Sequence, residues 1–146
     1  MATTCSCAPA WVEGSTGALV ALLAGNPNVG KSSLFNRLTG EVVETANYAG
    51  MTVALNGADL EWQGQSVTLI DLPGTYAIGA VSEDQHVARR ALLEQHPDVV
   101  IAVVDATNLA RNLYLVLQLV DLGFRIVVAL NLSDEAERHH LHIDEA

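Results

Sequence analysis

The chain has 146 residues, 50% hydrophobic and 16% charged, enough apolar material for one domain with strands covered on both faces, which favours an α/β layout. Its 7 Lys and Arg stand against 17 Asp and Glu, a formal charge of −10 with no basic block, which argues against nucleic acid as a direct partner. No Lys or Arg occurs from Met1 to Val29, so a secretory signal is not expected, and Gln118, Asp121, Gly123 and Arg125 interrupt the apolar region Leu113 to Leu130 too often for a membrane span.

Residues 1–16 mix small and polar types without periodicity and read as a flexible tail, followed by one domain over 17–146. Cys5 and Cys7 lie too close for an ordinary disulfide staple and suit a reducing compartment; a metal-binding pair is the other reading. Ala18 to Ala24 predicts a buried strand, and Lys31 to Leu38 a helix on the spacing of Leu34, Phe35 and Leu38. Glu41 to Met51 has little periodicity. Two strands, Val53 to Trp62 and Ser66 to Asp71, flank Gln63 and Gly64 as an antiparallel hairpin at the sheet edge. Ser82 caps a helix from Glu83 to Gln95, and Val99 to Val104 reads as a central strand. Leu109, Leu113, Val116, Leu117 and Val120 predict a helix face ending at Gly123. Ile126 to Leu130 then predicts another buried strand, a helix starts at Ser133, and a further one is expected from Ile143 to Ala146.

Gly25-Asn26-Pro27-Asn28-Val29-Gly30-Lys31-Ser32 fits G-x-x-x-x-G-K-[ST] between a strand and a helix, the context that gives the match meaning. Glycines let successive N–H groups converge on a phosphate at the positive end of the helix dipole. Lys31 adds a full charge near the β- and γ-phosphates, Ser32 offers a hydroxyl to Mg²⁺, and Ser33 is counted with the nucleotide-binding residues. Asp71-Leu72-Pro73-Gly74 fits D-x-x-G, with a carboxylate to hold magnesium and a glycine amide for the γ-phosphate. Alone it commonly marks a plain turn; its place after the phosphate loop gives it the functional reading. A threonine that closes on magnesium is expected between the first helix and the next strand, with Thr45 and Thr52 as candidates and Thr52 preferred because a strand follows it. Asn131-Leu132-Ser133-Asp134 fits N-x-x-D: Asp134 can accept two hydrogen bonds from guanine, whereas adenine offers no matching donor pair. Leu132 stands where N-K-x-D motifs carry lysine, and a helix cap by Ser133 or Asp134 is the other reading of the segment, compatible with the first.

Together the segments GNPNVGKSSLFNRLTG, NYAGMTV, DLPGTY, VVDATNLARNLYLVLQLVDLG and VALNLSDEA make the region from Ala18 to Ala146 resemble the cytoplasmic G domain of the ferrous iron transport protein B family. The resemblance implies a P-loop NTPase fold of the Ras-like type, a mostly parallel sheet with one antiparallel edge strand, lacking its last strand and helix. It implies GTP and GDP as ligands with Mg²⁺, hydrolysis of GTP, and a place on the cytoplasmic side of a bacterial inner membrane. The partners it implies are helical and transmembrane domains of the same transporter, and homo-oligomers are compatible with it. The fragment by itself is expected to be soluble. Thr75 occupies the place of the usual water-orienting glutamine and is too short for that role. Asn28 matches the loop asparagine with which similar potassium-activated GTPases bind K⁺, so K⁺ held by Asn28 and carbonyls near Ala46 to Tyr48 is expected to stimulate hydrolysis. The predicted catalytic set is therefore Asn28, Lys31, Thr52 and Gly74. The rival readings are a nucleotide-state sensor with little hydrolysis and a soluble GTPase of ribosome assembly or tRNA modification; the acidic balance counts against the second. His139, His140 and His142 read as a solvated helix end rather than a metal site.

Overall fold

The structure, a computed structural model, describes residues 17–40, 44–46, 55–79 and 81–144. Thr52, Asn47, Tyr48, Cys5, Cys7 and the tail of residues 1–16 lie outside the described residues.

Apolar runs bounded by glycine become strands and amphipathic runs become helices, in the order β1 (Leu19–Gly25), α1 (Lys31–Thr39), β2 (Glu44–Ala46), β3 (Leu55–Trp62), β4 (Gln65–Asp71), α2 (Glu83–Glu94), β5 (Val99–Asp105), α3 (Leu109–Asp121), β6 (Ile126–Asn131) and α4 (Ser133–Arg138). The sheet runs β2-β3-β4-β1-β5-β6. β1 is parallel to β4 and to β5, and β5 is parallel to β6; only β3 runs against its neighbours. The expected mostly parallel sheet with one antiparallel strand is therefore present, with a three-residue strand, β2, outside the hairpin that sequence periodicity did not indicate. The hairpin turns at Gln63 and Gly64, both at positive φ (50° and 80°), the conformation that matches the right-handed twist of the flanking strands.

Alternation along β1 sends consecutive leucines to opposite faces. Leu22 joins Ile70, Leu92, Leu115 and Leu119 in the core under α2 and α3. Leu23 joins Leu69, Val103 and Phe35 in the core under α1. Both leucines are fully buried, so the strand that leads into the phosphate loop is anchored in the cores on both faces of the sheet. Ser82 caps α2 as expected, its hydroxyl accepting from the Gln85 N–H at 3.3 Å.

Three details differ from the sequence expectation. The buried face of α3 is Asn112, Leu115, Val116 and Leu119, while Leu117 and Val120 are exposed. Apolar residues occupy nearly every turn position of that helix, so spacing alone could not choose the face. β6 is not a buried strand: it is the last strand of the described sheet, and Val127 and Val128, on opposite faces, are 50% and 47% exposed. Ile143 and Asp144 are not helical, and the chain beyond them lies outside the described residues.

Candidate functional site

The loop from β1 to α1 is built by steric necessity. A Cβ on Gly25 would stand 2.7 Å from the Val103 carbonyl oxygen of β5, so only glycine lets the two strand ends meet here. Asn28 and Gly30 adopt left-handed conformations (φ 65° and 84°), which asparagine tolerates and glycine takes without strain. α1 then starts at Lys31 with no acidic residue in its first turn, leaving its positive end facing a cavity of about 580 Å³. All the expected loop residues except Gly25 and Val29 line that cavity, as does Gly74; Val29 is buried behind it. Asn26 is 3% exposed, and among the described residues its carboxamide has no hydrogen-bond partner.

The D-x-x-G segment is stitched to the same loop. Leu72 N–H donates to Leu23 O and Thr75 N–H to Gly25 O, each at 3.0 Å, and a Cβ on Gly74 would press on Pro27 Cα at 3.1 Å. Asp71, at the end of β4, accepts a hydrogen bond from Lys31 Nζ at 2.5 Å. Lys31, Ser32, Asp71 and Gly74 share a second cavity of about 290 Å³. A hydroxyl and a carboxylate converging there are hard oxygen donors, a set that fits Mg²⁺. The Thr75 hydroxyl is turned inward, donating to Ala77 O at 2.9 Å, and the residue is 5% exposed.

Asn131 ends β6 opposite Asp105 of β5, and its Nδ2 donates to Val29 O at 2.8 Å. That bond needs Gly30, because a Cβ there would stand 2.2 Å from Asn131 Nδ2. Leu132 holds a left-handed φ of 60° ahead of α4. Asp134 is exposed on the first turn of α4 and pairs with Arg138 Nη2 at 2.9 Å. The three motifs thus converge at one end of the parallel strands, the Asn131 side through a direct bond and Asp134 one turn beyond it. His139, His140 and His142 are exposed, as expected of a solvated helix end, and no metal-competent cluster of His, Cys, Asp or Glu occurs among the described residues.

Sequence reasoning missed Asp84, which the first turn of α2 brings to the wall of the larger cavity. It also missed Arg111 and Gln118 of α3, which reach the segment following Gly74. Their partners are 35 and 40 residues away in sequence, and no local motif marks such contacts.

Fold and site together define a P-loop nucleotide-binding domain of the G-domain class. A family model described as ferrous iron transport protein B matches residues 19–146, and the chain belongs to that family. It is 46% identical over 126 residues to the Fe(2+) transporter FeoB of Salmonella typhimurium, an alignment covering 84% of this chain and 16% of that protein. Among solved structures, the G domain of the T. maritima FeoB iron transporter superposes with a TM-score of 0.78 at 41% identity, over 88% of this chain and 78% of that one. The cytosolic domain of T. maritima FeoB in GDP form I gives 0.80 at 40% identity, over 90% and 51%. No helix among the described residues is long and apolar enough to cross a membrane.

Proposed function

We propose that the chain binds GTP and GDP with Mg²⁺, hydrolyses GTP, and serves as the G domain of a ferrous iron transporter, coupling nucleotide state to Fe(2+) uptake across the inner membrane. The observation that carries this reading is the Asn131–Val29 bond, which locks the base-recognition motif onto the phosphate loop. The Fe(2+) transporter relatives and the GDP form of the T. maritima domain support it. Since the chain spans 16% of its relative's length, transport itself would need the helical and membrane-spanning domains of the whole protein.

In this scheme the loop amides and the start of α1 hold the β-phosphate, and Lys31 exchanges its Asp71 partner for phosphate oxygens. Ser32 and Asp71, with Thr52 outside the described residues, would hold Mg²⁺, which when bound neutralises charge on the β- and γ-oxygens. The Gly74 amide, held against Pro27, meets the γ-phosphate. Asp134 reads guanine after leaving Arg138, a surface pair that contributes at most about 1 kcal/mol. Thr75 has its hydroxyl committed to Ala77 and orients no water. The missing charge is assigned to K⁺ at Asn28, one of the residues that line the larger cavity.

The test is equilibrium binding of fluorescent GDP and ADP together with phosphate release from GTP and ATP. Tight GDP binding, weak ADP binding and GTP turnover lost in Lys31→Ala support the proposal; equal use of ATP, or turnover surviving Lys31→Ala, overturns it. The inward Thr75 hydroxyl also favours a second reading, a nucleotide-state sensor with slow hydrolysis. Iron uptake by the whole transporter with GTP against a non-hydrolysable analogue separates the two.

A further inference from the structure

We propose that Arg111 and Gln118 of α3 are positioning residues that hold the segment after the D-x-x-G turn in register with the phosphate loop, and so set the rate of GTP hydrolysis. The inference rests on the GTPase reading above and adds two residues to it.

The segment from Leu72 to Gly79 has no regular secondary structure of its own. Its first half is held by the phosphate loop, through Thr75 N–H on Gly25 O and Gly74 against Pro27. Its second half is held by α3. The Arg111 guanidinium lies 4.2 Å from the centroid of the Tyr76 ring, within the range where the ring's negative face attracts a cation. Two residues on, the Ile78 N–H donates to Gln118 Oε1 at 2.8 Å. The other end of that carboxamide is occupied as well, Nε2 donating to the Tyr114 hydroxyl at 3.3 Å, which fixes which way the amide points. Among the described residues no carboxylate pairs with Arg111, so its charge is directed to the ring.

α3 is a firm support for this. Leu115, Val116 and Leu119 bury its inner side in the core that also contains Leu22 and Ile70 of the sheet. The two contacts come one on each side of Ala77, which itself returns to the Thr75 hydroxyl. The four residues that follow Gly74 are thereby pinned at both ends. If Gly74 and Thr75 must stand still beside a terminal phosphate, loosening the far end should slow the chemical step while leaving contacts to the α- and β-phosphates, and hence GDP affinity, intact.

The full chain and its Arg111→Ala, Arg111→Lys, Gln118→Leu and Tyr76→Ala variants provide the test. Arg111 and Tyr76 are exposed at the surface, so substitutions at these two positions leave the core packing untouched. Amide exchange without nucleotide should rise at Tyr76 to Ile78 in Arg111→Ala and Gln118→Leu, by about tenfold. Single-turnover GTP hydrolysis should slow by about tenfold in the same two variants, with GDP affinity within about twofold of the parent. Arg111→Lys, which keeps a cation over the ring, should retain most of the rate. The Tyr76→Ala, Arg111→Ala double variant should be no slower than the slower single one, since both remove one contact. Unchanged exchange at 76–78, or rate and GDP affinity falling in step, overturns the assignment. A parent chain that binds GDP but hydrolyses no GTP sinks the proposed function instead. In that event the exchange at 76–78 and the affinity ratio of a non-hydrolysable GTP analogue to GDP decide the tether: a lower ratio in Arg111→Ala keeps it, an unchanged ratio rejects it.

Discussion

Lys31 and Asp71 are bonded to each other, Nζ to Oδ1, beside the smaller cavity with side chains only 9% and 10% exposed, so in the proposed scheme the ammonium that would meet phosphate and the carboxylate that would meet metal compete for one another. In that scheme nucleotide with Mg²⁺ would have to separate them, and the separation would weaken net binding. Replacing Asp71 by Asn removes the charge of the competing partner and, in the proposed scheme, a magnesium ligand together. With a chelator present, Asp71→Asn should bind GDP at least as tightly as the parent; with Mg²⁺ it should bind about tenfold more weakly, because the metal's contribution is lost. Fluorescent-GDP titrations with and without chelator check both signs, and a parent-like gain on adding Mg²⁺ would remove Asp71 from the metal site.

Gly30 and Asn131 act as a unit. Asn131→Ala deletes the bond to Val29 O and should lower stability by about 1 kcal/mol or somewhat more. Gly30→Ala should cost more, since it adds a Cβ where Asn131 Nδ2 lies and forces a left-handed φ on alanine, roughly 1–2 kcal/mol for the backbone alone. In the Asn131→Ala background the steric part disappears, leaving only the φ penalty. Denaturant melts of the two single variants and the double one should therefore be non-additive; strict additivity would mean the two residues do not share the constraint.

The part of the site that was legible in the sequence is the part that is local. Gly25, Gly30, Lys31 and Ser32 form a contiguous motif because a phosphate cradle is made by consecutive backbone amides, and Ser82 announced its helix because a cap acts three residues ahead. Val99 to Val104 read as a central strand because burial on both faces removes the polar alternation. The rest depends on what the chain meets in space. Asn131 finds Val29 from 102 residues away, and the pair Arg111 and Tyr76 joins two segments with no common motif. Nor could spacing tell Leu119, fully buried, from Leu117, which points outward at 61% exposure. β6 had the composition of a covered strand, and its exposure follows from its place in the strand order rather than from its residues.

Asp134 should decide which base is accepted. Its carboxylate offers two acceptors to the N1–H and exocyclic amine of guanine; an amide in its place presents one acceptor and one donor, and the donor opposes the amine. Asp134→Asn should weaken GDP binding by about a hundredfold, close to the loss of one charge-assisted hydrogen bond. Xanthosine diphosphate, with a carbonyl where guanine has the amine, should regain most of that loss. Because the Arg138 pair is mostly exposed, unfolding stability should change by less than about 1 kcal/mol. Competition titrations of the two nucleotides read the switch directly, and equal loss for both bases would show that Asp134 does not contact the base.

Asn28 carries the claim of potassium stimulation, and its backbone complicates the obvious variant. At φ 65° an alanine would be strained, so a loss of activity in Asn28→Ala could come from a distorted loop rather than a missing oxygen donor. Asn28→Gly separates the two causes, since glycine accepts this φ freely and still removes the carboxamide. In the parent, GTP turnover should be roughly tenfold or more faster in K⁺ than in Na⁺ at equal ionic strength, because a cation held by Asn28 would substitute for the positive charge that an arginine finger supplies. Both variants should turn over GTP at the same rate in the two salts, while Asn28→Gly keeps GDP affinity within about threefold of the parent because the loop amides remain in place. A potassium response that survives in Asn28→Gly would move the cation away from this side chain, and a parent indifferent to the salt would leave Asn28 with only its structural task of turning the loop.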